Sequence, residues 1–188
     1  MDAWMWIVLA LVVLVLVLLA LFAWPARNRR RTQQLQEGFG PEYEHVVEET
    51  GDKRDAEREL LERQDRREEF EVRPLTPEAR ERYADEWRTV QGGFVDEPEA
   101  AVHDADRLVQ QVMAERGYPV ADDFERRAAD VSVDYPDVVE NFREGHRLAS
   151  EHEAGAAGTE PLRQAMVHFR SLFDELLAEE PVHEEARR

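Results

Sequence analysis

The chain has 188 residues, a formal net charge of −18 and no cysteine. Its length suits one ordinary domain with an appendage. The absence of cysteine excludes a disulfide-stapled scaffold, a zinc-thiolate site and a cysteine enzyme. The excess of acidic residues argues against a nucleic-acid-binding protein, because a polyanion repels phosphate groups.

An uninterrupted apolar run of 22 residues, Ala3 to Trp24, dominates the N-terminal part of the sequence. As a helix it would be about 33 Å long, which matches a bilayer hydrocarbon core of about 30 Å. A cleaved signal peptide fits poorly, because no basic residue precedes the run and the run exceeds the usual ~7–15 residues. We therefore predict a retained transmembrane helix.

Four arginines follow the apolar run closely: Arg27, Arg29, Arg30 and Arg31. Basic residues beside a span stay on the cytoplasmic side, so we expect the N-terminus outside and the rest of the chain in the cytoplasm. The same arginines could contact anionic lipid headgroups, although a topology signal is sufficient to explain them. The sequence thus predicts a single-pass membrane protein.

The composition divides the chain into four predicted parts. Residues 1–31 form the transmembrane anchor with its arginine flank, and residues 32–73 form a charged helical stalk that is poor in core residues. Residues 74–178 carry apolar residues at helical spacing and form a compact bundle of about five helices. Residues 179–188 form a flexible tail.

The predicted stalk contains two helices. Pro41 can open a short helix that ends at Gly51, and Asp52 can cap a second helix that runs towards Phe70. Acidic residues and arginines alternate there at helical pair spacing, without a heptad seam sustained over three or four repeats. A solvated stalk is therefore favoured over half of a coiled coil. Formation of a homo-oligomer through the span or the stalk is an alternative that the sequence leaves open.

Capping and breaking residues delimit the helices of the bundle. No segment alternates as a strand would, so the predicted fold class is all-α. Gly117 is predicted to end a helix. The predicted helix starts are Thr76 with Pro77, Asp96 with Pro98, Asp122 or Asp123, Asp134 with Pro136, and Thr159 with Pro161.

Three aromatic residues are candidates for a partner-binding surface. Tyr83 and Trp87 lie one helical turn apart, and Tyr118 lies in the loop that follows Gly117. Tyr83 and Trp87 share the apolar stripe of their helix, which favours the alternative that they belong to the core. Helix termination already explains the glycine and proline around Tyr118.

No pattern in the sequence predicts a catalytic, cofactor-binding or metal-binding residue. The chain contains no HExxH pattern, no glycine-rich phosphate loop, no GxSxG elbow and no EF-hand spacing. His146 shares the apolar face of its helix, which favours a core histidine over a catalytic one. The prediction is therefore a protein that is not an enzyme and needs no cofactor.

The chain resembles a family of uncharacterised actinobacterial single-span membrane proteins, often labelled hypothetical or secreted. The resemblance covers roughly Phe39 to Leu177 and implies an architecture and a location, but no activity or ligand. It rests on Arg73-Pro74-Leu75, Glu78-Ala79-Arg80, Arg82-Tyr83, Trp87 with Gln91 and Phe94, Ala105-Asp106 with Leu108, Arg116-Gly117-Tyr118-Pro119 and Leu162-Arg163-Gln164-Ala165-Met166.

These observations predict a membrane-anchored, cytosol-facing helical adaptor or scaffold. Its expected partners are the lipid bilayer and an unidentified protein, and not a nucleic acid. Two alternatives stay open: an enzyme with an unrecognised site in the helical domain, and an outward-facing envelope protein.

Overall fold

The computed structural model describes residues 4, 11, 30–119, 123–153 and 158–178. Its regular structure in these ranges is helical without strands, which confirms the predicted all-α class. The chain divides into two compact units, Met1–Glu37 and Gly38–Arg188. Each unit is described by itself below.

The first unit is described mainly at residues 30–37, which are helical and expose Arg30 and Arg31. None of the helices in the described ranges is long and apolar enough to cross a membrane. Apart from Trp4 and Leu11, the predicted span Ala3 to Trp24 lies outside the described residues. So do Arg27, Arg29 and the predicted tail.

Two helices stand near the start of the second unit: α1, Pro41–Thr50, and α2, Lys53–Arg67. The chain leaves α1 through Gly51, whose φ of 69° is a left-handed conformation that favours glycine. Asp52 then caps α2, its side chain accepting two backbone N–H groups of the first turn at 2.8 and 3.2 Å. The predicted boundaries of both helices are confirmed at Pro41, Gly51 and Asp52.

The remaining helices largely begin where the sequence predicts. Thr76 caps α3 by accepting from the backbone of Ala79 at 3.2 Å, and Asp123 caps α5 by accepting from that of Glu125 at 3.1 Å. The helices are α3, Pro77–Gly93; α4, Pro98–Arg116; α5, Phe124–Val131; α6, Val139–Glu153; and α7, Glu160–Leu177.

Two predicted starts differ from the structure. Before α4 the capping position is taken by Glu97 rather than Asp96, without a side-chain capping bond. α6 begins at Val139, because the carbonyl of Tyr135 accepts the backbone N–H groups of Val138 and Val139 and closes a turn first. The sequence signal at Pro136 therefore marks this turn and not the helix itself.

The core lies where α6 packs on α7, α7 on α4, and α4 on α3. Gly145 permits close packing of α6 on α7, since a Cβ atom there would lie 3.2 Å from atoms of His168 and Phe169. His146 is half-buried, and its ring stacks on Phe124 with the centroids 3.7 Å apart. The largest fully buried hydrophobic side chains of these helices are Phe142, Phe169, Phe173, Met113, Leu172, Leu176 and Val102.

From Gly38 onward, the structure does not have the exposed stalk that the sequence predicts. The second unit begins there and not at Pro74, and α2 packs on α5. The charge-rich sequence suggested solvated helices, but Arg63 is only 5% exposed and Glu42 only 2%. Their side chains form an ion pair with Nη1 and Oε1 2.6 Å apart. These two charges, which the sequence suggests are solvated, are thus buried and paired across helices.

Candidate functional site

The three aromatic residues predicted as a partner surface are buried. Tyr83 is 6% exposed, Trp87 3% and Tyr118 3%, and all three belong to the hydrophobic core. The Trp87 ring stacks on Phe173 with the centroids 4.5 Å apart. An exposed aromatic surface at these positions is therefore ruled out by the packing, and the core alternative holds.

The two tyrosines are fixed by hydrogen bonds to carboxylates. The Tyr83 hydroxyl donates to Oε2 of Glu115 at 2.7 Å, and the Tyr118 hydroxyl donates to Oδ2 of Asp134 at 2.5 Å. Burial, followed by the neighbouring carboxylate, raises the pKa of both phenols. Both hydroxyls therefore stay protonated and serve as structural donors.

A groove of about 290 Å³ lies between α3 and α7. Trp87 and the half-buried Phe94 line it from the α3 side, and the buried Met166 lines it from α7. Trp87 is the one lining residue of this groove that the sequence predicted as part of a partner surface. The lining residues are Trp87, Gln91, Phe94, Arg163, Met166, Val167 and Arg170.

Exposed apolar side chains accompany this groove. Val167 lines it and is 57% exposed, and Val95, next to the lining residue Phe94, is 85% exposed. Asp96 and Glu97 donate their backbone N–H groups to the carbonyl of Gly93, which closes the turn that carries Val95. Exposed apolar residues beside a groove are typical of a binding surface.

Trp87, one of the lining residues, carries an unsatisfied polar atom. The indole Nε1 of Trp87 is buried and has no hydrogen-bond partner in the part of the chain that the structure describes.

A second cavity of about 140 Å³ lies where the first turns of α4 face the last turns of α6. Nε2 of His152 lies 2.8 Å from Oε1 of Glu99, and the buried Nδ1 of His152 has no partner among the described residues. His103 also lines this cavity. In the described ranges no group of three or more His, Cys, Asp or Glu residues could hold a metal ion.

A cluster of buried and half-buried charges lies between α1, α2 and α6. Arg143 donates to both carboxylate oxygens of Glu42 at 2.6 and 2.8 Å, and Arg63 donates to Oε1 of Glu42 and, at 3.4 Å, to Ser132. Burial lowers the pKa of Arg143, but the hydrogen bond and charge of Glu42 outweigh it and raise the pKa above its usual value. The cluster connects distant helices and is structural.

Comparisons of the chain with protein-family models, with curated proteins and with solved structures find no match. The resemblance to an actinobacterial family of single-span membrane proteins therefore stays a prediction.

Proposed function

We propose that the chain is a membrane-anchored helical adaptor that faces the cytosol and receives a partner protein in the groove between α3 and α7. The apolar run and its arginines support the anchor and the orientation. The single observation that supports docking is the groove itself, which combines a buried aromatic side chain with the exposed Val95 and Val167.

The groove suits a protein side chain better than a cofactor. Its volume of about 290 Å³ lies at the lower limit of the roughly 300–1,000 Å³ found for small-molecule and cofactor sites. Partner proteins often insert one or two apolar anchor residues into such a pocket, and a few anchors supply most of the binding energy.

The test places a charge in the groove. Full-length wild-type chain, the Val167→Glu variant and the Ala100→Glu variant are cross-linked in cells and compared by quantitative mass spectrometry. Ala100 is exposed on α4 and serves as the matched control. Proteins that are lost with Val167→Glu but kept with Ala100→Glu support the proposal; the same captured set for all three chains contradicts it.

An enzyme is the second candidate, and the Glu99–His152 pair favours it. A histidine held by a carboxylate through one nitrogen, with the other nitrogen beside a cavity, is an arrangement used in acid–base catalysis. A panel of ester, amide and phosphate substrates tests it with wild-type chain and His152→Gln. Turnover by the wild type alone supports this candidate, and no turnover of any substrate counts against it.

A further inference from the structure

α7 presents a basic, an apolar and a second basic residue in one row along the groove. Arg163, Val167 and Arg170 are separated by four and three positions, so they share a helix face over about 10 Å. The two arginine side chains are 57% and 49% exposed, and Val167 is 57% exposed. The row is therefore open to a partner.

Both guanidinium groups are held in place and keep a donor for a further acceptor. Arg163 donates to Glu160 through Nε and Nη2, and Arg170 donates to Asp174 through Nε and to Gln91 through Nη1. In the described part of the chain, Nη1 of Arg163 and Nη2 of Arg170 make no hydrogen bond. Since a guanidinium carries five N–H donors, each arginine can bind a second carboxylate.

The charge distribution of the chain determines which partner suits this row. The charged residues that line the groove in the described ranges are both arginines, although the whole chain carries a net charge of −18. That net charge opposes every anionic partner, but it opposes a densely charged polyphosphate more strongly than a helix that brings only two carboxylates to the arginines. Amphipathic helices commonly place an apolar face in such a groove.

We infer that the groove receives an acidic amphipathic helix of a partner protein. One apolar residue of that helix enters between Arg163 and Arg170, and two carboxylates about seven positions apart bind the two arginines. This inference rests on the proposed function, because it specifies the partner class of the same groove.

The experiment uses the full chain in detergent micelles and a fluorescein-labelled, stapled alanine–glutamine helix. The probe carries two glutamates seven positions apart with a leucine between them. The control peptide has the same composition with the glutamates five positions apart, which places them on different helix faces. Binding is measured by fluorescence anisotropy to wild type, to Arg163→Glu/Arg170→Glu and to Arg88→Glu, which changes an exposed arginine of α3 outside the groove.

We expect the seven-spaced peptide to bind wild type and Arg88→Glu alike, and to bind the double variant at least about tenfold more weakly. Circular dichroism of the double variant checks that α7 stays folded. Absent binding to wild type, equal binding of both peptides, or binding unchanged by the double substitution overturns the inference. If the inference fails while Val167→Glu still loses captured proteins, docking in the groove stands and only the acidic partner class is wrong. If Val167→Glu loses none, the proposed function itself fails.

Discussion

The carbonyl oxygen of Glu71 lies directly above Gly117, so that a Cβ atom at Gly117 would be only 2.3 Å from it. The extended segment that contains Glu71 crosses the C-terminal end of α4, where the backbone N–H of Arg73 donates to the carbonyl of Arg116 at 2.8 Å. Gly117 also has a φ of 99°. Two independent constraints thus require glycine at this position.

Gly117→Ala should therefore destabilise the fold by about 2–4 kcal/mol. Roughly 1–2 kcal/mol comes from the left-handed backbone, and the remainder from the displaced segment at Glu71. The measurement is chemical denaturation of the full chain followed by far-ultraviolet circular dichroism.

Gly51→Ala is the matched control for this change. Gly51 has a φ of 69°, and a Cβ atom built there would have no atom within 4 Å. Gly51→Ala should therefore lose only the free energy due to the left-handed backbone, about 1–2 kcal/mol. Equal losses at Gly51 and Gly117 would show that the contact with Glu71 has no energetic role.

Replacement of the buried carboxylate in Glu42→Gln should cost about 3–5 kcal/mol of unfolding free energy. The change leaves the guanidinium groups of Arg63 and Arg143 without their shared anion, and breaking a buried ion pair at one partner is strongly destabilising. Denaturation of the full chain measures the loss.

Asp85→Asn removes the carboxylate of an exposed pair and is the control for Glu42→Gln. Asp85 pairs with Arg88, and the two side chains are 67% and 73% exposed. Exposed pairs contribute little, so this variant should unfold as the wild type does. If Glu42→Gln behaved like this control, the buried cluster would not hold α1 to the bundle.

The features that the sequence predicts correctly depend on residues that lie close together along the chain. The caps at Asp52, Thr76 and Asp123 and the stop at Gly117 depend on bonds within one helical turn or on the conformation of one residue. The ion pair of Glu42 with Arg143 joins residues 101 positions apart, and no local pattern specifies it.

The same reason explains which parts of the groove escaped prediction. Arg163, Val167 and Arg170 fall on the polar side of an amphipathic helix, where exposed arginines are ordinary. Their row becomes a candidate site only when α7 is seen beside Trp87 and Phe94 of α3. In the sequence, this row is indicated only by the spacing of Arg163, Val167 and Arg170, which are four and three positions apart.

Asp106 should make the stability of the fold depend on pH. Burial raises the pKa of this carboxyl above its usual value, and the opposing effects of Arg127 and of the Gln110 hydrogen bond are smaller. Between the ordinary and the raised pKa the folded chain holds more protons than the unfolded chain, so stability falls as pH rises through that window.

Asp106→Asn should therefore be more stable than the wild type at neutral pH, and its advantage should shrink as the pH falls from the raised pKa of Asp106 to the ordinary carboxyl pKa. The measurement is the unfolding free energy of both chains across a pH series. An advantage that stays constant with pH, or a variant that is less stable at neutral pH, would contradict this explanation.

The predicted topology is tested by a reporter that is active only outside the membrane. Fused after Arg188, it should stay silent if the proposed topology holds, because basic residues beside a membrane span favour the cytoplasmic side. A fusion in front of Met1 is the positive control. A strong signal from the C-terminal fusion would reverse the topology and favour an outward-facing envelope protein.

Docking of a partner in the groove between α3 and α7 is the central claim, and site-specific photo-cross-linking in cells tests it most directly. A benzoyl-phenylalanine replaces Val167 in one full-length chain and the exposed Ala100 in another. We expect a discrete protein adduct from position 167 and none from position 100. No adduct at either position, or the same adducts at both, would contradict the claim.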